Sequence, residues 1–162
     1  MTTWRRTLAL ILGRRPVSLQ VGAVCRDPDS GRVLLITSRG TGRWVIPKGW
    51  PMEGRTLSGA AAQEAWEEAG VRGRVRQAEL GRYRYDKAQD QGFAVPVDLR
   101  VFLLEVERLS DDFPEHRQRK RRWFDPEEAA RMVVEPGLKQ ILLSLPARTA
   151  DPAPASDPAG HG

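Results

Sequence analysis

The sequence has one cysteine and no apolar run long enough to cross a bilayer. Without a second cysteine no intramolecular disulfide can form, and the apolar neighbours of Cys25 favour a buried, unreactive thiol. A transmembrane helix needs about 20 apolar residues, whereas the run from Leu8 to Leu12 is far shorter. Gly13 to Pro16 follow that run without a small-residue cleavage site, so we expect no secretion signal and a location in the reducing cytoplasm.

The composition excludes a disordered or fibrous chain. Hydrophobic residues make up 40% and charged residues 29% of the 162 residues, as in soluble globular proteins. This length suffices for one domain with a core of its own and is too short for two comfortable ones. The net charge of +5 favours anionic partners such as phosphates, nucleic acid or acidic lipid.

Composition divides the chain into one domain and two flanking segments. Residues 1–16 form an N-terminal segment whose short apolar run could be a docking helix or could lie on a surface. Residues 17–146 carry the strand and helix patterns and form the domain. Residues 147–162 are rich in proline, glycine and small side chains, so we expect a disordered tail.

Strand patterns and helix patterns both occur within the domain. Together they predict a protein of the α/β class in which a mixed sheet lies between helices. Thr56 or Ser58 is the expected cap of the first helix, and Asp125 that of the second. The expected strands are 17–25, 32–37, 44–46, 71–85, 95–106 and 122–124, and the expected helices are 56–69, 125–134 and 136–145.

The first of these helices carries three glutamates on one face. Glu64, Glu67 and Glu68 stand at positions i, i+3 and i+4, which fall within an arc of about 100°. Like charges at this spacing repel one another, and a divalent cation would compensate for that repulsion. A solvated acidic surface is the alternative explanation. The opposite side, expected to pack, carries Ala62, Ala65, Trp66 and Ala69.

The residues around this cluster resemble the Nudix box, G-x5-E-x7-R-E-U-x-E-E-x-G-U, where U is bulky and apolar. The stretch from Trp44 to Gly49 is similar to the strand that leads into the box, and the resemblance covers residues 17–145. It implies a Nudix-type α/β/α sandwich and a hydrolase that cleaves phosphoanhydride bonds with Mg²⁺ or Mn²⁺. The matching positions are Gly49, Glu64, Glu67, Glu68, Gly70 and Val71.

Three positions depart from the box. Arg55 stands where the family has glutamate, Gln63 where it has arginine, and Ala65 where a larger apolar residue is usual. Family members are thought to pair that glutamate and arginine, and losing both avoids one stranded charge. We therefore expect activity to be retained, with a weakened or purely binding domain as the alternative. Arg55 could instead reach a substrate phosphate.

The resemblance also implies roles for individual residues. Glu64 and Glu68 are expected to contact the metal, Glu67 to do so directly or through water, and the backbone carbonyl of Lys48 to add a ligand. Family members often recruit one more carboxylate from a later loop as ligand or general base, and Glu115 is our candidate. An ordinary solvated loop acid is the alternative for Glu115. Its competitors for the role are Asp86, Asp90 and Asp112.

Several cations and one hydroxyl are candidates for substrate binding. Arg39, Arg43 and Lys48 lead into the box and could surround bound phosphates, although loop arginines often serve only solubility. The run from Arg117 to Arg122 carries five positive charges in six residues and suits a polyphosphate or nucleic acid. From this run we select Arg122, and we add Ser38 beside Arg39.

The spacing of these residues is similar to the branch of the family that hydrolyses diphosphoinositol and diadenosine polyphosphates. We therefore expect a nucleoside polyphosphate, dinucleoside polyphosphate or diphosphoinositol-type substrate, and no stable nucleic-acid partner. Removal of pyrophosphate from the 5′ end of RNA is the alternative within enzymology. A ligand sensor that has lost its chemistry is the alternative outside it. The oligomeric state stays open.

Overall fold

A computed structural model describes residues 17–88, 92 and 94–148, and within these the chain forms seven strands and three helices. The predicted N-terminal segment and residues 149–162 of the predicted tail lie outside the described residues. The elements are β1 (Ser18–Arg26), β2 (Val33–Thr37), β3 (Trp44–Val45), β4 (Lys48–Gly49), α1 (Leu57–Ala69), β5 (Val71–Ala88), β6 (Ala94–Leu109), β7 (Arg121–Phe124), α2 (Pro126–Met132) and α3 (Pro136–Leu143).

All the strands join one mixed sheet, as predicted. Its main path runs β3-β2-β1-β6-β5, while β4 pairs with β1 and β7 pairs with β2. β1 is parallel to β6, with Ser18 opposite Val97, and antiparallel to β2, with Cys25 opposite Leu34. β1 and β2 therefore lie inside the sheet and are buried on both faces, which explains their nearly continuous apolar sequences.

Alternate residues of the central strands point to two separate cores. Ala23 and Cys25 of β1 pack on the side of α1, whereas Val24 packs on the side of α2 and α3. Helices thus cover both faces of the sheet, and the predicted α/β/α sandwich is confirmed. Burial raises the pKa of the Cys25 thiol to about 12, so the expected unreactive thiol is what the fold provides. No helix within the described residues is long and apolar enough to span a membrane.

Helix α1 begins and ends with the predicted residues. Of the two candidate caps, Thr56 is the one used, because its hydroxyl accepts a hydrogen bond from the Gly59 N–H at 3.0 Å. Gly70 ends the helix in the left-handed region, at φ 69°. Its Cα also approaches the Ser110 carbonyl and the Phe113 ring so closely that a Cβ would clash with both.

The packed face of α1 differs from the predicted one. Ala65 and Ala69 are buried as expected, whereas Ala62 and Trp66 are only half-buried. Ala60, Ala61, Ser58 and Glu68 are buried instead. The helix is turned so that Glu68 lies at the edge of the packed face. Its carboxylate is therefore less exposed than those of Glu64 and Glu67.

The other predicted cap, Asp125, occupies the N-cap position of α2 as expected, with Pro126 opening the helix. Its side chain, however, makes no capping hydrogen bond and lies 3.5 Å from the Arg32 guanidinium. Both C-terminal helices end before their predicted limits, at Met132 and Leu143. Pro136 and Pro146 follow soon after these ends, and a proline disfavours helical backbone in the residue before it.

Candidate active site

A cleft of about 740 Å³ lies beside the acidic part of α1 and collects residues from both faces of the sheet. α1 and the loop between β6 and β7 supply its acids. The β2–β3 loop and β4 supply cations, and β5 and the start of α3 complete the wall. The residues that line the cleft include Gln20, Ser38, Arg39, Arg43, Lys48, Gly49, Trp50, Glu64, Glu68, Tyr85, Asp86, Glu115, Arg119 and Glu135.

Glu64 lies directly against the backbone of β4. A Cβ at position 49 would lie well within 3.0 Å of the Glu64 carboxyl group, so only glycine leaves room for that side chain. Burial, as the largest cause, and the charges of Glu68, Glu67 and Glu115 together raise the pKa of Glu64 to about 7. The carboxylate therefore stands in a surplus of negative charge, which is the environment that a cation relieves.

Glu68 is the most buried of the three helix glutamates, at 6% exposure. Its Oε2 accepts a hydrogen bond from the Lys48 backbone N–H at 3.0 Å, and its Oε1 accepts one from Arg119 at 2.9 Å. Burial raises the pKa of Glu68 to about 6, against the opposing effects of Arg119 and of the Lys48 backbone N–H and charge. The backbone of Lys48 thus runs beside this carboxylate, where the predicted carbonyl ligand would have to lie.

Glu115 joins the helix glutamates from the loop between β6 and β7. Its backbone N–H donates to the Glu67 carbonyl at 3.0 Å, which ties the loop to α1. Its Oε1 lies 3.3 Å from Arg39 and 3.4 Å from Arg119. Of its competitors, Asp86 also lines the cleft, the side chain of Asp112 is fully exposed, and Asp90 lies outside the described residues.

Arg119 is the residue of this site that the sequence analysis missed. Its side chain is 8% exposed, and it donates to the Thr37 carbonyl at 3.0 Å as well as to Glu68 and Glu115. The only signal was its place in the basic run, from which we selected Arg122. Arg122 is exposed on β7, lies 5.2 Å from the centre of the Phe124 ring and does not line the cleft.

Gln63 and Arg55, the two positions where the charge departs from the box, lie in different surroundings. Gln63 donates to Glu67 Oε1 at 3.1 Å, so a neutral amide satisfies that glutamate without a partner at position 55. Neither Glu67 nor Arg55 lines the cleft, and Arg55 is exposed in the turn before α1. Glu67 therefore lies beside the cleft, and its charge still raises the pKa of Glu64.

The remaining predicted substrate-binding residues, Ser38, Arg39, Arg43 and Lys48, all line the cleft. The Ser38 N–H donates to the Arg43 carbonyl at 2.8 Å and closes the β2–β3 loop, which holds these side chains at the rim. Burial lowers the pKa of Lys48, while the charges of Glu68 and Glu135 raise it. Cations and carboxylates thus face the same space.

The acids of the cleft have the chemistry of a magnesium or manganese site. Carboxylate oxygens are the ligands these ions prefer, and Glu68 and Glu115 are near enough to Glu64 for their charges to raise its pKa. Within the described part of the chain, no three acidic, histidine or cysteine side chains already enclose an ion position. Arg119 instead provides the positive charge next to Glu68 and Glu115, and a bound ion would take over that role.

Comparisons with known proteins agree with this geometry. A family model described as "NUDIX domain" matches residues 17–145. Nudix hydrolase 16, mitochondrial, of Arabidopsis thaliana is 35% identical over 72% of this chain and 68% of its own length. Diphosphoinositol polyphosphate phosphohydrolase 3-alpha of Mus musculus is 32% identical over 73% of this chain and 71% of its own. The chain spans 68%, 62% and 51% of the length of Nudix hydrolases 16, 12 and 13 of Arabidopsis thaliana.

The fold also resembles solved structures. The crystal structure of an Ap4A hydrolase from C. elegans superposes with a TM-score of 0.54 at 21% identity. The match covers 79% of this chain and 95% of that one. At this identity the likeness concerns the arrangement of the sheet and helices, which agrees with the sandwich described above.

Proposed function

The chain belongs to the NUDIX family and is an enzyme of the pyrophosphohydrolase type, and on that premise we propose the reaction it performs. It cleaves a phosphoanhydride bond in a nucleoside polyphosphate, a dinucleoside polyphosphate or a diphosphoinositol-type substrate, with Mg²⁺ or Mn²⁺ as cofactor. One observation carries the proposal: Glu64, Glu68 and Glu115 face a cleft whose rim is formed by Arg39, Arg43 and Lys48.

The carboxylates would hold the ion. Glu64 and Glu68 are the proposed direct ligands, the Lys48 carbonyl an additional one, and Glu67 a contact made through water, since its side chain lies outside the cleft. When bound, the ion neutralises phosphate oxygens and orients a water for in-line attack. Glu115 is the proposed acceptor of the proton from that water or a further ligand, because it is the loop acid that approaches the helix glutamates.

The cations of the rim bind the substrate's phosphates. Arg39 and Arg43 present planar guanidinium groups suited to phosphate oxygens, and Lys48 adds a charge from β4. Two relatives point to the substrate class through their names, one to a diphosphoinositol polyphosphate and one to Ap4A. Cytoplasmic location remains our prediction, whereas the plant relative above is named as mitochondrial.

A panel of substrates with Mg²⁺ and with Mn²⁺ tests the proposal. Diadenosine tetraphosphate, a diphosphoinositol polyphosphate and a 5′-triphosphorylated RNA are compared with wild-type protein and with Glu68→Gln. We expect turnover of a small-molecule substrate and a loss of at least about 100-fold in kcat for Glu68→Gln. The matched control is Glu127→Gln, the same change on the exposed surface of α2, which should leave turnover unchanged.

The other outcomes decide between the alternatives. Turnover of RNA alone would replace our substrate class with the 5′ end of RNA. Binding of the phosphorylated compounds without turnover, with Glu68→Gln equal to wild type, would indicate a ligand sensor and contradict the proposed reaction.

A further inference from the structure

The wall of the cleft contains another acid, Glu135, which has no role in the proposed reaction. It stands at the N-cap position of α3, on the face of the sheet opposite α1. Its side chain makes no capping hydrogen bond to the helix. Glu135 therefore reaches the cleft independently of Glu64 and Glu68 and does not serve as the cap of its own helix.

One oxygen of Glu135 is buried without a partner. Within the described residues, Oε2 has almost no contact with solvent and accepts no hydrogen bond. A buried carboxylate oxygen in this state destabilises the folded protein, so native structures nearly always supply a donor for it. Since Glu135 lines the cleft, a ligand that binds there can contact its carboxylate.

The neighbours of Glu135 do not provide that donor. Burial raises the pKa of Tyr85 well above its usual range, and the charge of Glu135 is the next cause, so the two groups are close. The Tyr85 hydroxyl, however, donates to Gln20 Oε1. The charge of Glu135 raises the pKa of the buried Lys48, so these two groups are also near each other, but no ion pair between them is found among the described residues; the Lys48 ammonium lies 5.7 Å from the centre of the Tyr85 ring.

The chemistry of this wall suits the part of a substrate that carries no phosphate. A carboxylate repels phosphate and accepts hydrogen bonds from hydroxyl or amino groups. Trp50, which is 47% exposed and has the Lys87 ammonium 4.9 Å from its ring centre, and the Tyr85 ring offer aromatic faces in the same cleft. A nucleoside combines O–H and N–H donors with a flat ring, whereas an inositol polyphosphate carries phosphates around its ring.

We propose that Glu135 is a specificity-determining residue, which accepts a hydrogen bond from an O–H or N–H group of a nucleoside and disfavours a phosphate at that position. The inference rests on the proposed function and narrows it. The cleft then selects nucleoside polyphosphates over diphosphoinositol-type substrates, with the phosphate chain at Arg39 and Arg43 and the nucleoside beside Glu135.

Glu135→Ala tests this assignment through a ratio of two specificities. For diadenosine tetraphosphate, KM should rise at least about 10-fold with kcat within about two-fold, because one hydrogen bond to a charged acceptor is lost. KM for the diphosphoinositol substrate should stay unchanged or fall. Glu127→Gln is again the surface control. An unchanged ratio of the two kcat/KM values would overturn the proposal, whether the activities fall together or not at all.

Binding and stability measurements separate this proposal from the proposed function. ADP binding is followed by calorimetry in the full-length chain, whether or not any substrate is turned over. Glu135→Ala should weaken it at least about 10-fold, and equal affinities would overturn the assignment even in an active enzyme. Thermal unfolding should give a midpoint close to that of wild type, since the change removes an unpartnered carboxylate and only its attraction to Lys48 is lost; a large fall in the midpoint would indicate a structural role and contradict the assignment.

Discussion

Replacing Arg119 by methionine tests how far its positive charge compensates the negative charges of Glu68 and Glu115. Arg119 and Glu68 each have 8% of the side chain exposed and are joined at 2.9 Å. Breaking a buried ion pair by removing one partner costs about 3–5 kcal/mol, because the other charge remains buried without compensation. For a chain of this size, 1 kcal/mol corresponds to about 2–4 °C. We therefore expect Arg119→Met to unfold at least about 6 °C below wild type in EDTA.

The same variant should respond more strongly to a divalent ion than wild type does. An ion held by Glu68 and Glu115 replaces the charge that Arg119 provided, so millimolar Mg²⁺ or Mn²⁺ should recover part of the loss. Thermal unfolding followed by circular dichroism, with EDTA and with each ion, measures both effects. Arg122 belongs to the same basic run but is exposed. The free energy of unfolding of Arg122→Met should therefore lie within about 0.5 kcal/mol of the wild-type value.

Two outcomes would refute this reasoning. An unfolding midpoint for Arg119→Met equal to that of wild type in EDTA would mean that the ion pair carries no net stabilisation. An equal fall in the unfolding midpoint of Arg119→Met with and without the ion would mean that the carboxylates do not bind a cation. Adding Glu68→Gln to Arg119→Met should restore part of the stability, because the buried Glu68 charge that lost its partner is then removed.

Two further predictions concern Glu64. Gly49→Ala should reduce turnover by at least about 100-fold in a folded protein, since a Cβ there displaces the Glu64 carboxyl group; activity close to wild type would show that Glu64 has room elsewhere. In EDTA, the raised pKa means that the folded state keeps a proton between pH 4.5 and about 7 that the unfolded state has lost. The stability that Glu64 contributes should therefore be fully present below pH 4.5 and be lost as the pH rises to about 7, so the free energy of unfolding should fall more steeply with pH in wild type than in Glu64→Gln. The free energy of unfolding is measured with urea at each pH. An equal pH dependence of that free energy in wild type and Glu64→Gln would contradict the assignment.

The sequence allowed prediction of the elements whose signals are local. The spacing of Glu64 and Glu68 placed both acids on one side of α1, and Thr56 and Gly70 marked its ends because capping depends on adjacent residues. The apolar runs of β1 and β2 likewise predicted buried strands. Such features depend on periodicity and on turn chemistry, which a single sequence records directly.

The missed features depend on contacts between distant parts of the chain. Nothing local distinguishes Arg119 from Arg122, because a basic run that passes from a loop into β7 has no periodicity until the strand's pairing is known. Glu67 stays a predicted metal contact, direct or through water, and only the structure shows that the Gln63 amide donates to it and that its side chain does not line the cleft. Glu135 resembles any acid before a proline until the packing of α3 against the sheet shows which of its oxygens is buried.

Binding of manganese to the purified chain tests the central claim most directly, because it measures the cation at the carboxylates without requiring a substrate. Electron paramagnetic resonance counts free Mn²⁺ as protein is added, with wild type, Glu68→Gln and the surface control Glu127→Gln. We predict binding at millimolar or lower concentration by wild type and the control, and affinity weakened at least about 10-fold in Glu68→Gln. No uptake of Mn²⁺ by wild type, with or without diadenosine tetraphosphate, or equal uptake by all three proteins, would contradict the account.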